Sequence, residues 1–198
     1  MFIQVMRGKC SDAAALKGRM EDWEANLRPG ADGYLGTTAG VTGDGTFVGV
    51  VRFDSQAQAQ ANSQRPEQDA WWGQTAALFD GEVAFAEYDD AITWLAGGSN
   101  DAGFVQVMQG KVGDAAGFRK FAEQPMDGLQ EMRPEIIGGT TGIADDGSYT
   151  QTIYFTSEAA AREGEKTEMP AEVQAEMAEV MGESSEVAFY DLTDPWLS

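Results

Sequence analysis

Apolar residues recur along this chain with two periods, two and about three and a half, and the periods alternate in a fixed order. In residues 2–8, Ile3 and Val5 fall on one face of an extended segment, and Phe2, Gln4 and Met6 fall on the other. This predicts a strand that is largely apolar on both faces. Ser11 and Asp12 then offer capping oxygens. Leu16, Met20, Trp23 and Leu27 follow at i, i+4, i+7 and i+11, a single apolar helical stripe that ends at Pro29-Gly30. Residues 34–41 and 46–53 predict two strands joined by Asp44-Gly45, a strong two-residue hairpin signal. Ser55 can cap a second helix, which Pro66 breaks and restarts. Trp72, Ala76 and Phe79 share a face of the restarted helix, and residues 83–88 predict a last strand.

The same series then repeats. Phe2-Ile3-Gln4-Val5-Met6-Arg7-Gly8-Lys9 returns as Phe104-Val105-Gln106-Val107-Met108-Gln109-Gly110-Lys111, an offset of 102 residues. Without gaps, 20 of the 58 positions from 2 to 59 are identical at that offset, which is enough to make the chain two copies of one unit. Asp146-Gly147 repeats the hairpin, Ser157 the cap and Pro170 the helix restart. Glu82-Val83-Ala84-Phe85 matches Glu186-Val187-Ala188-Phe189, and Trp94-Leu95 matches Trp196-Leu197. The order strand, helix, strand, strand, helix, strand is the split βαβ arrangement, a ferredoxin-like unit. Such a unit leaves one sheet face uncovered. The expected architecture is therefore α+β: ferredoxin-like βαββαβ repeats at residues 1–95 and 104–198, joined by a Gly/Ser/Asn linker at 96–103. The repeats are expected to pack sheet to sheet as an intramolecular pseudo-dimeric α/β barrel.

Composition narrows the chemistry. The 198 residues carry a formal charge of −20, no histidine and one cysteine. Imidazole bases, imidazole metal ligands and cysteine clusters are thereby excluded. The acidity opposes nucleic acid and anionic membranes as partners. No apolar run approaches the length that spans a bilayer. A free cysteine suits a reducing compartment, so a cytoplasmic protein is expected, a monomer with an internal pseudo-dimer or a higher assembly of whole chains.

Two such units on one chain, with the repeated Asp-Gly hairpin and the Pro-broken second helix, resemble the dimeric α/β-barrel superfamily. That group includes antibiotic-biosynthesis monooxygenase-like, stress-responsive and haem-degrading proteins. The chain departs from the haem-degrading pattern: Gln4 stands on the first strand where those proteins carry Asn, and no His follows the late helix. The resemblance to the cofactor-independent monooxygenases implies no cofactor and no metal, a pocket between sheet and helices, and a lining of Asn, Trp, Tyr and Arg. The residues of those types here are Arg52, Asn62, Trp71, Trp72 and Tyr88. No catalytic residue is assigned.

Each candidate also has a structural explanation. Trp71 and Trp72 point about 100° apart on a helix, so they form an aromatic wall for a planar ligand or fill the core. Arg52 shares a strand face with Val48 and Val50 and either meets an anionic ligand or reaches solvent, Asp54 or Glu87. Gln4 and Gln106 line a cavity or bond each other or the backbone. The Gly/Thr-rich strands, 36–40 and 138–142, mark a bulge or a close approach. Glu172, Glu176, Glu179 and Glu183 share a helical face that suits solvent better than a cation. Cys10 follows Lys9 at a helix start, a setting that partly suits a thiolate. The function expected is that of a small-molecule-binding barrel, with monooxygenase-like turnover of an aromatic or polyketide-like substrate as the enzymatic form. Non-catalytic binding, a stress-response role and a structural or oligomerising module are the alternatives. A cavity well below about 300 Å³ would argue against a ligand.

Overall fold

Local signals set most of the elements. In a computed structural model, which describes residues 1–126, 128–168, 170–182 and 187–198, the first half forms β1 (Phe2–Lys9), α1 (Ala13–Asn26), β2 (Tyr34–Val41), β3 (Thr46–Phe53), α2 (Gln56–Ser63), α3 (Pro66–Ala76) and β4 (Ala84–Tyr88). Asp12 caps α1 by accepting from the Ala15 amide at 2.9 Å. Ser55 caps α2, and Pro66 opens α3 at a position where a missing N–H costs nothing. Leu16, Trp23 and Leu27 of the predicted stripe are buried, and Met20 is half-buried. The hairpins fall where expected but are longer than two-residue Asp-Gly turns: Gly45 N–H bonds the Thr42 carbonyl and Gly147 N–H the Ala144 carbonyl, so each glycine, at φ +82° and +86°, follows the turn centre instead of forming it. The turn carboxylates are held ionised. In the first hairpin Asp44 accepts from Thr42, Lys9 and Thr46, which pulls its carboxyl well below the ordinary range. In the second, Ser148 and Lys111 lower Asp146 to about 2.

The second half repeats the series with β5 (Ile92–Leu95), β6 (Phe104–Lys111), α4 (Ala115–Ala122), α5 (Leu129–Met132), β7 (Ile136–Ile143), β8 (Ser148–Phe155), α6 (Glu158–Gly164), α7 (Ala171–Met181) and β9 (Ala188–Leu192). A short β10 (Trp196–Leu197) ends the series. Each antiparallel sheet has five strands, not four. The orders are β10-β2-β3-β1-β4 and β5-β7-β8-β6-β9, and neither sheet closes into a barrel by itself. Unit 1 is accordingly Met1–Asp89 with Asp194–Ser198, and unit 2 is Asp90–Thr193. Trp94-Leu95, which the repeat places at the end of the first copy, pairs with β7 in unit 2, while Trp196-Leu197 pairs with β2 in unit 1. Both pairings cover what would otherwise be open sheet edges.

The Gly/Thr-rich strands do carry bulges. Register shifts between Tyr34 and Gly36 in β2, and between Ile136 and Gly138 in β7. Because of the first shift, Tyr34 and Thr37 lie opposite Phe53 and Val51, so both point to the helix side of the sheet despite being three residues apart. In α7, Val180 packs against the Phe118–Tyr149 cluster, but Val173, two turns earlier on the same helical face, is exposed. Among the described residues no helix is long and apolar enough to cross a membrane.

Candidate functional site

Between the helices and sheet of unit 1 lies a cavity of about 220 Å³. Its floor is the helix-facing side of the sheet: Gln4 and Met6 of β1, Thr37 of β2, Val51 and Phe53 of β3, and Phe85 of β4. Its walls are Met20 and Trp23 of α1, Ala59 and Asn62 of α2, and Trp71 and Trp72 of α3. Gln68 and the exposed Asp69 stand at the rim. The cavity is smaller than a typical ligand site, which limits its occupant to a compact molecule.

Three of the five residues singled out from the sequence meet here. Trp71 is buried, donates its indole N–H to the Arg19 carbonyl at 2.9 Å, and lies under the Arg19 guanidinium. Trp72 is half-buried and packs against Phe79 and Phe85, with ring centroids 6.3 and 5.6 Å away. The adjacent pair thus serves both core and cavity. Asn62 is only 7% exposed. Its Oδ1 accepts from Arg65 Nη1 at 2.9 Å. Arginine only donates, so this contact fixes the amide orientation and leaves the Asn62 NH₂ without a hydrogen-bond partner among the described residues.

Arg52 and Tyr88 are elsewhere. They belong to the sheet face turned away from the helices, in register with Ile3 on either side. Strand alternation is the reason: Val51 and Phe53 face the cavity, so Arg52 cannot. Arg52 does not reach solvent as the sequence suggested. It is buried and donates from Nη1 to Thr38 Oγ1 at 3.0 Å. Gln4 and Gln106 do not bond each other. Each donates to the carboxylate opposite it on the neighbouring strand, Gln4 to Glu87 and Gln106 to Asp191, both at 2.9 Å. Cys10 is not set up as a nucleophile, because burial moves its thiol upward; the Asp12 amide opposes this, and the Asp12 and Asp80 charges add to it. Gln124 meets Glu176 of α7 at 2.5 Å; Glu183, grouped with it in the sequence, lies outside the described residues.

The sequence did not single out Met20, Trp23 or Thr37 as site residues. Trp23 is tied by a 2.6 Å hydrogen bond from its indole N–H to Gln68 Oε1. Thr37 is tied through Tyr34, whose hydroxyl oxygen lies 2.6 Å from Glu24 Oε1, 2.7 Å from Thr37 Oγ1 and 2.8 Å from Ser198 Oγ. Burial, then the hydrogen bond to the Glu24 carboxylate, pushes the Tyr34 hydroxyl up to about 12. The raised value makes the protonated phenol part of the fold. Its stabilisation is complete below the ordinary value of 10.0 and disappears as pH rises through about 12. Urea midpoints should show it: between pH 10 and 12 the wild type loses about 1–2 kcal/mol more than Tyr34→Phe, after allowing for solvent at the partly exposed ring. Parallel curves would refute this role.

No family model and no curated protein matches the chain. Solved structures do. A candidate monooxygenase from Lactobacillus acidophilus NCFM superposes with a TM-score of 0.71 at 11% identity, covering 100% of this chain and 98% of that one. One from Fusobacterium nucleatum gives 0.74 at 11% identity, with 96% and 90% covered. An anthrone oxidase-like protein gives 0.59 at 10% identity, with 99% and 93% covered. The likeness is one of fold. It spans both repeats, so the tandem arrangement is itself shared with these proteins.

Proposed function

We propose that unit 1 binds a small, planar, mostly apolar molecule that presents one oxygen or nitrogen acceptor to Asn62. The observation that carries this is the amide nitrogen of the largely buried Asn62, which meets no protein acceptor among the described residues, in a cavity walled mainly by Trp, Phe, Met and Val with Gln4, Thr37, Ser63 and Gln68 also lining it. The nitrogen is not among the fully buried polar atoms, and a ligand acceptor that meets it contributes about 0.5–1.5 kcal/mol net. The aromatic walls supply affinity through stacking and burial.

The fold neighbours favour a second reading built on the same site: oxygenation of the bound ring without a cofactor. The lining offers no lysine, arginine, tyrosine or cysteine, and Asp69 is at the rim. Reactivity would therefore come from the ligand. Conversion of a ring CH₂ and dioxygen to C=O and water balances without an external reductant. The Asn62 N–H would stabilise the enolate oxygen from which the electrons leave.

Calorimetric titration of the full chain with naphthalene and quinoline tests the binding. Quinoline has the same shape and adds a ring nitrogen acceptor. It should bind about 5-fold more tightly, and Asn62→Leu should bring the two together. Trp72→Ala should weaken both about 10-fold or more. Absence of heat for either compound up to millimolar concentration would overturn the proposal.

A further inference from the structure

Unit 2 contains an occupant for the space that is empty in unit 1. At the repeat offset, the cavity residues Thr37, Val51, Phe53 and Ala59 correspond to Gly139, Ile153, Phe155 and Ala161. In unit 2, Trp94 packs into one cluster with Phe155, Ala161 and the half-buried Ile153. Its ring lies over Gly139, where a β-carbon would run into Cζ2 and Cε2 of the indole. Trp196 is the sequence counterpart of Trp94, yet it does not fill unit 1. Trp94 pairs with Gly139, whose counterpart is Thr37, whereas Trp196 pairs with Ala39. A slip of two residues keeps the side chain on the same face but moves it about 7 Å along the strand. The Trp196 ring accordingly rests against Phe47, at 6.1 Å, with Lys17 Nζ 5.9 Å above it.

Thr37 adds polarity at the place where unit 2 has glycine. The Tyr34 hydroxyl donates towards both Glu24 Oε1, at 2.6 Å, and Thr37 Oγ1, at 2.7 Å. Thr37 Oγ1 accepts through one lone pair and keeps a second for a ligand donor. In unit 2 the buried Trp94 Nε1 has no hydrogen-bond partner among the described residues.

From this we infer that the unit 1 cavity takes an indole-sized bicyclic arene that carries, besides the acceptor Asn62 meets, a ring N–H or O–H, and that Thr37 Oγ1 accepts that proton. The inference rests on the binding reading above and names its ligand class and a specificity-determining residue. The Thr37 side chain also requires the ligand to lie beside it, displaced from the position the Trp94 ring takes over Gly139.

Titrating the full chain with 3-methylindole and 1-methylindole separates the terms, because the isomers share size and apolarity and only the first keeps the N–H. The expected result is one 3-methylindole per chain, bound about 10-fold more tightly than 1-methylindole. Thr37→Val should weaken 3-methylindole alone and leave the isomers within about 2-fold of each other. Tyr34→Phe keeps the ring but frees the Thr37 hydroxyl to rotate, and should narrow the gap; melting curves establish that each variant is folded. Equal binding of the isomers to wild type overturns the Thr37 role while leaving an arene site in place. Tighter binding of phenol than of 3-methylindole overturns the size assignment. Failure of every arene, quinoline included, overturns the underlying binding reading instead.

Discussion

Replacing Trp94 with alanine is expected to destabilise unit 2 by about 3–5 kcal/mol and to open in it a cavity that accepts free indole. The Trp94 side chain is 7% exposed and sits in a cluster with Phe104, Ile136, Phe155 and Ala161. Little around it can collapse to fill the gap, since Phe104 and Phe155 are themselves locked in a ring contact with centroids 5.7 Å apart. The lost burial and the void add, as they do for other large core side chains. In a chain of this length the melting temperature should fall by roughly 10 °C. Indole should then raise the melting temperature of the variant more than that of the wild type, because it binds only the folded state. Calorimetry should count two sites per chain in place of one. A variant that melts as the wild type does, or that gains nothing from indole, would show that Trp94 does not occupy a ligand-shaped space.

The second large effect is expected from Gly139→Thr, which writes the unit 1 residue into unit 2. Gly139 is a β7 residue without a positive φ, so the backbone tolerates a side chain there. Space does not, because the new β-carbon would strike the Trp94 indole. Either the ring leaves its cluster or β5 leaves the sheet edge. Overpacking of this kind costs about 1–3 kcal/mol, and expulsion of the ring brings the total near that of losing Trp94. The two changes must therefore fail to add. In the Trp94→Ala background the threonine has nothing to strike, so the double variant should be about 2 kcal/mol more stable than the sum of the singles. Denaturant unfolding of the four proteins measures the coupling, and strict additivity would contradict the overlap.

Much of this was legible in the residues because it is local. The Leu16–Met20–Trp23–Leu27 stripe, the Asp12 and Ser55 caps and the restarts at Pro66 and Pro170 each act within a few residues, and the structure carries them; the hairpin positions were legible too, though not the length of their turns. Asn62, Trp71 and Trp72 could be nominated from residue type, and they do meet at one cavity. What escaped was non-local. Alternation grouped Arg52 with Val48 and Val50 correctly but could not say which face the helices cover. Thr37 escaped because the bulge after Tyr34 breaks the period of two just where the site begins. The fifth strands escaped because two to four residues carry too little pattern. Their register escaped for a deeper reason: Trp94-Leu95 and Trp196-Leu197 are the same dipeptide at the same offset, and only pairing against β7 or β2 distinguishes them.

The two-residue slip of β10 relative to β5 has a genetic consequence. In an assembly of identical chains, a codon change at the tryptophan alters every copy of the site together, and a plugged state and an open one cannot be chosen separately. Here the tryptophans are encoded at positions 94 and 196. Mutation can thus reshape the half that holds the open cavity while its twin stays filled.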